Sequence, residues 1–167
     1  NGVDPENVEQ INVNFALTSA LDAGQVDAVS GAFRNFELSQ MTAIGKTGRC
    51  FLPEEHGVPV YDELIYLANP ETADADKIAR FLAATQRATT EIIADPEAGW
   101  QTFRAYSAEL DDTLNAAAWQ ATAPLFATDP GTLDIQRYAA FGAYMADIGM
   151  IAKAPEVSAI ATTLGAQ

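Results

Sequence analysis

Ile78, Phe81, Leu82, Thr85, Ala88 and Ile92 recur at intervals that no strand can use, and no other pattern constrains the fold of this chain as firmly. The spacing places them on one face of a long amphipathic helix. Asp95-Pro96-Glu97 ends that helix and opens the next, with Asp as cap and Pro in the first turn. Trp100 and Phe103 supply the buried side of the second helix. Asp111 or Asp112 caps a third, which carries Leu114, Ala118 and Ala121 and ends or bends near Pro124. Asp129-Pro130-Gly131 is a turn, and Thr132 opens a fourth helix through Ile135, Tyr138, Phe141 and Met145 to Gly149. Pro155 begins a last short one. Everything after Asn69-Pro70 is therefore expected to be helical.

Before that point the texture differs. Ile11, Val13 and Phe15 alternate with Asn12 and Asn14, the period of a half-buried strand. Thr18–Ala23 is predicted as a brief helix ended by Gly24, and Val26–Ser30 as a second strand. Asn35 is expected to cap a helix with Glu37 in its first turn, where a negative charge suits the helix dipole. Leu38, Met41 and Ile44 follow at helical spacing, with Gly45 as terminator. Arg49–Leu52 and Tyr61–Ala68 are predicted as two further strands joined by the Pro53–Pro59 loop. This alternation predicts an α/β fold with short, mostly parallel strands in the N-terminal part and an α-helical C-terminal part. Four strands with two short helices are too few to cover a parallel sheet on both faces. The 167 residues are accordingly expected to be part of a longer chain.

Charge narrows the functions. Nine Lys and Arg stand against 23 Asp and Glu, a formal net charge of −14. A field of that sign repels phosphate backbones and anionic lipid surfaces, so no nucleic-acid partner is expected. Catalytic constellations are scarce. His56 is the one histidine, in the loop Pro53-Glu54-Glu55-His56-Gly57, without a Ser or Cys in a recognisable motif. Glu54, Glu55 and His56 are adjacent, a spacing that rarely converges on one ion, so no metal site is expected. Cys50 is the single cysteine, read as a buried structural thiol. Asp111-Asp112 and Asp74 with Asp76 are explained by helix capping.

The informative stretch is Asp27-Ala28-Val29-Ser30-Gly31-Ala32-Phe33-Arg34-Asn35-Phe36-Glu37. Small residues run into polar and aromatic side chains at the start of a helix, the kind of junction at which open α/β folds hold ligands. Two uses of these side chains stand open. Asn35 is a cap, Glu37 a dipole partner and Phe33 and Phe36 core, or the same residues face a small molecule.

A resemblance bears on that choice. Leu17–Val29 is similar to a segment shared by many type II periplasmic binding proteins. Gly31-Ala32-Phe33-Arg34-Asn35-Phe36-Glu37 and Glu55-His56-Gly57-Val58-Pro59-Val60-Tyr61-Asp62-Glu63-Leu64-Ile65 resemble two elements of the family that binds thiamine-pyrimidine precursors such as hydroxymethylpyrimidine. The resemblance implies the C-terminal half of a two-lobed fold of that type. Residues 1–59 would complete the second α/β lobe, and 60–167 would hold the crossover strand and the helical C-terminal part of the first. It also implies the substrate-binding component of an ABC importer, in the periplasm or lipid-anchored outside the cell, not an enzyme and without a cofactor. Its partners would be an aminopyrimidine-like ligand and a membrane permease, and the isolated piece is expected to self-associate.

The ligand-binding residues implied are Phe33, Arg34, Asn35, Glu37 and Tyr61. Glu37 can accept from an exocyclic amine or a protonated ring nitrogen, and Asn35 can donate and accept along a ring edge. Phe33 or Tyr61 can stack on the ring face. Arg34 stands where family members often carry an aromatic, and it can stack or pair with an anionic substituent. Two alternatives accompany this expectation. One is a pyrimidine synthase of the same fold, which would use iron, pyridoxal phosphate and an active-site histidine. The other is a receptor for a flavin or a sulfonate.

Overall fold

The computed structural model describes residues 3–162, and these divide into two compact units. One takes the chain up to Cys50 together with Arg104–Thr122, and the other takes Phe51–Phe103 and the chain from Ala123 onward.

The first unit is built on helices α1 (Leu17–Asp22), α2 (Glu37–Ala43) and α5 (Thr113–Thr122), with α2 packed against both of the others. Gly24 and Gly45, at φ 67° and 74°, take the left-handed backbone that ends α1 and α2 where the sequence places terminators. Asp112 caps α5 by accepting from the Asn115 N–H at 2.6 Å. Ala20 and Met41 are the buried apolar side chains of this unit. Gly48 passes so close to α2 that a Cβ there would lie 2.9 Å from Leu38 Cδ2.

The second unit holds the long helix α3 (Ala75–Ala94), α6 (Ile135–Asp147) and the short α7 (Val157–Ile160). Helix α4 (Pro96–Tyr106) begins here, immediately after Asp95, whose carboxylate accepts from the Ala98 N–H at 3.0 Å. Asp74 caps α3 through the Lys77 N–H at 3.0 Å, so both ends of the long helix fall where its sequence signals put them. A 3-10 turn at Ala123–Leu125, around Pro124, packs on α3, and Ala123 is buried. α6 packs on α7.

The α/β expectation is corrected: among the described residues there is no strand and no sheet. The reason can be read at Ile11–Phe15. Asn14 turns into the left-handed region at φ 50°, its N–H donates to Asn12 Oδ1 at 2.9 Å, and the Ala16 N–H closes a turn on Val13. Local side-chain and turn hydrogen bonds have replaced a ladder, and Phe15 is fully exposed. Val26–Ser30 and Arg49–Leu52 are irregular, and Tyr61–Ala68 runs without regular structure apart from a bend at Leu64. Alternation selects which side chains share a face. A strand also needs a neighbour to take its N–H and C=O groups, and these runs have none among the described residues.

Smaller expectations shift as well. The fourth helix starts at Ile135 with Asp134 as its cap, three residues later than Thr132 suggested, because Thr132 is held in the preceding turn by Asp129. Phe103 is 37% exposed and Cys50 is half-buried, so neither is core. The last helix begins at Val157, two residues past Pro155.

Candidate functional site

The loop from Gly31 to Glu37 is set by three local contacts. Gly31, at φ 89°, turns the chain out of the Val26–Ser30 run. The backbone N–H groups of Phe36 and Glu37 both donate to the Phe33 carbonyl at 3.0 Å, winding the approach to α2. The Phe33 N–H donates to Glu37 Oε2 at 2.6 Å, so the carboxylate reaches back over the turn that precedes its own helix. It is not a capping box, in which the third helical residue reaches the N–H of the cap residue itself, because Glu37 is the first residue of α2 and reaches Phe33. The residue in cap position is Phe36, which offers no side-chain bond.

Asn35 is therefore not the cap. Its side-chain Nδ2 donates to Thr122 Oγ1 at 2.6 Å, tying the loop to the last residue of α5, 87 positions away in sequence. The Thr122 hydroxyl in turn donates to the Ala118 carbonyl at 2.7 Å. The structure thus brings Phe33, Arg34, Asn35 and Glu37 together on one loop. Asn35 and Glu37 are partly buried, whereas Arg34 and Phe33 are exposed. Phe33 presents 41% of its surface, which makes it available as a stacking platform and not a core residue. α2 and α5 also line an open groove of about 350 Å³, with Leu38, Ser39, Thr42 and Ala43 on one side and Thr113, Leu114 and Ala117 on the other.

Tyr61 belongs to the second unit. Its ring stacks on Phe141 of α6 at a centroid distance of 4.4 Å, and the adjacent Asp62 binds Arg137 of the same helix. Asp62 holds the Arg137 guanidinium above its ordinary pKa, by hydrogen bond first and by charge second. Burial, and then the Asp62 charge, raises the Tyr138 phenol. His56 lies exposed in the 3-10 turn Pro53–His56, its ring 6.2 Å from that of Phe51. Among the described residues no three His, Cys, Asp or Glu side chains gather to hold a metal ion.

A family model described as NMT1/THI5 like matches residues 1–99, which include the whole Gly31–Glu37 loop and Tyr61. The chain belongs to the NMT1/THI5-like family. Over 154 residues it is 44% identical to a Haemophilus influenzae protein named a thiamine biosynthesis protein, a match covering 92% of this chain and 49% of that protein. Over 87 residues it is 36% identical to the formylaminopyrimidine-binding protein of Halalkalibacterium halodurans, covering 52% of this chain and 26% of the relative. The chain thus spans about half the length of the first relative and about a quarter of the second. No solved structure matches it. The resemblance carried by the Gly31–Glu37 and Glu55–Ile65 segments holds at the level of the NMT1/THI5-like family. Thr122 was not legible as part of the loop, because a partner so distant in sequence leaves no spacing to read.

Proposed function

We propose that the chain is part of a solute-binding protein that captures a small aminopyrimidine, a precursor of the thiamine pyrimidine, without changing any bond in it. One observation carries the reading: Asn35 and Glu37 stand on a single ordered loop beside the exposed Phe33 ring. A 4-aminopyrimidine has N–H groups to give, ring nitrogens to receive and a flat π face. The carboxylate and the carboxamide oxygen can take its N–H groups, and the phenyl ring can cover its face. Similarity to a formylaminopyrimidine-binding protein supports the same ligand class. Arg34 adds a cation for an anionic substituent. An ABC permease is then the membrane partner, and the periplasm or the outer face of the cell is the place of work.

A synthase of the same family would need a lysine for its Schiff base. Lys46, paired with Asp22 at 3.3 Å, Lys77, paired with Asp74 at 3.4 Å, and Lys153 are all exposed, unlike a Schiff-base lysine activated in a desolvated pocket, which supports binding over chemistry for the lysines of this chain. Native mass spectrometry of the intact protein taken from cells tests the proposal. A co-purified heterocycle with the mass of an aminopyrimidine is expected. A protein that emerges empty and gives no heat with hydroxymethyl-, aminomethyl- or formylaminopyrimidine would overturn it.

A further inference from the structure

The Asn35 carboxamide has a donor end and an acceptor end, and the structure contains the feature that decides which one faces outward. The Thr122 hydroxyl spends its single proton on the Ala118 carbonyl at 2.7 Å, the ordinary back-bond of a helical threonine. Only lone pairs remain for the group that meets Oγ1 from the loop. An amide oxygen there would set two acceptors against each other, so Nδ2 must occupy the position 2.6 Å away. We infer that Thr122 is a positioning residue: it turns the nitrogen of Asn35 towards α5 and leaves Oδ1 as the end that a ligand meets.

The consequence concerns specificity, and it rests on the reading of this loop as the pyrimidine site. Glu37 Oε2 is taken by the Phe33 N–H, and its other oxygen can only accept. With Oδ1 also turned outward, the two side chains present acceptors to the ligand edge. Such an edge must donate, as an exocyclic amine does, and a ring carbonyl at the same place would set acceptor against acceptor. The site therefore selects amino- over oxo-pyrimidines, and Thr122 maintains the selection from a helix that need not touch the ligand. A free carboxamide would rotate by half a turn and accommodate either.

The test uses the intact protein with Thr122→Val, which keeps the shape and loses the acceptor, and Thr122→Ser, which keeps the acceptor. Titration with a 4-aminopyrimidine and its 4-oxo counterpart should show at least about tenfold discrimination in the parent and the Ser variant. It should fall to within about threefold in the Val variant, since one unmade hydrogen bond accounts for a difference of that order. Equal discrimination in all three, with folding intact by circular dichroism, would overturn the role of Thr122. A second readout needs no ligand. The Asn35 side-chain amide protons, assigned by their loss in Asn35→Ala, should include one that exchanges slowly in parent and Ser variant and quickly in Val. Unchanged exchange in Val would refute the inference. A parent protein that binds neither pyrimidine would instead sink the functional reading, while the exchange measurement still decides the orientation of Asn35.

Discussion

Tyr61 lies flat on Phe141, the two ring planes 16° apart and their centroids separated by 4.4 Å. With Asp62 bound to Arg137 one residue on, and Tyr66 set edge-on against Phe81 at 4.8 Å, this fixes an otherwise irregular stretch to α6 and α3. One ring face of Tyr61 is thereby committed within its own unit.

Replacing Glu37 by Gln should weaken aminopyrimidine binding in the intact protein without unfolding it. Gln keeps an oxygen for the Phe33 N–H and so preserves the turn. It loses the charge-assisted bond to the ligand, which costs roughly 1.5–3 kcal/mol, about ten- to a hundredfold in affinity. Calorimetry with an unchanged dissociation constant would remove Glu37 from the list of ligand contacts.

Arg34→Trp should reverse a preference. An arginine favours an anionic substituent, whereas an indole favours a neutral ring. Competition between a phosphorylated and a neutral hydroxymethylpyrimidine should shift towards the neutral form in the variant. The same ratio in both proteins would assign Arg34 to the surface alone.

Alkali should loosen the second unit through Tyr138. Its folded-state pKa is raised above the ordinary 10.0 by burial and then by Asp62, so folding favours the protonated phenol. That contribution is complete below about pH 10 and disappears as the pH rises through the higher folded value. Urea melts on either side of this window should show a loss in the parent that Tyr138→Phe reduces. An identical loss in both would place the alkaline sensitivity elsewhere.

The chain by itself should associate and should bind no aminopyrimidine at micromolar strength. Leu64 and Leu67 are 83% and 87% exposed, and Val60, Ile65 and Tyr66 beside them are exposed too. Apolar patches of this kind find partners, and a site that buries little of its ligand holds it weakly. Light scattering should report oligomers, and Leu64→Lys with Leu67→Lys should reduce them. A monomeric parent that binds the pyrimidine tightly would contradict both halves of the prediction.

The helical half of the chain was legible because helices close their own hydrogen bonds. Asp74, Asp95-Pro96 and Gly149 mark ends that the backbone respects. The strand-like half was not, since Val13 and Phe15 alternate correctly while Asn14 bends the chain between them. At the loop, Asn35 two residues before Glu37 has the look of a cap. The same two side chains are instead directed to Thr122 and to the Phe33 N–H, a difference that depends on where α5 lies and not on local spacing.

The stretch from Val60 to Ala68 closes no backbone hydrogen bond to another described residue, although its side chains rest on two helices. Its amides should therefore take up deuterium almost as fast as those of an unfolded peptide, and its peptide bonds should be the first that a protease cuts. That makes the segment a built-in reporter. Slowed exchange there would register the arrival of a neighbour on this surface, whether a second copy or the remainder of a longer protein, before any change in secondary structure became measurable.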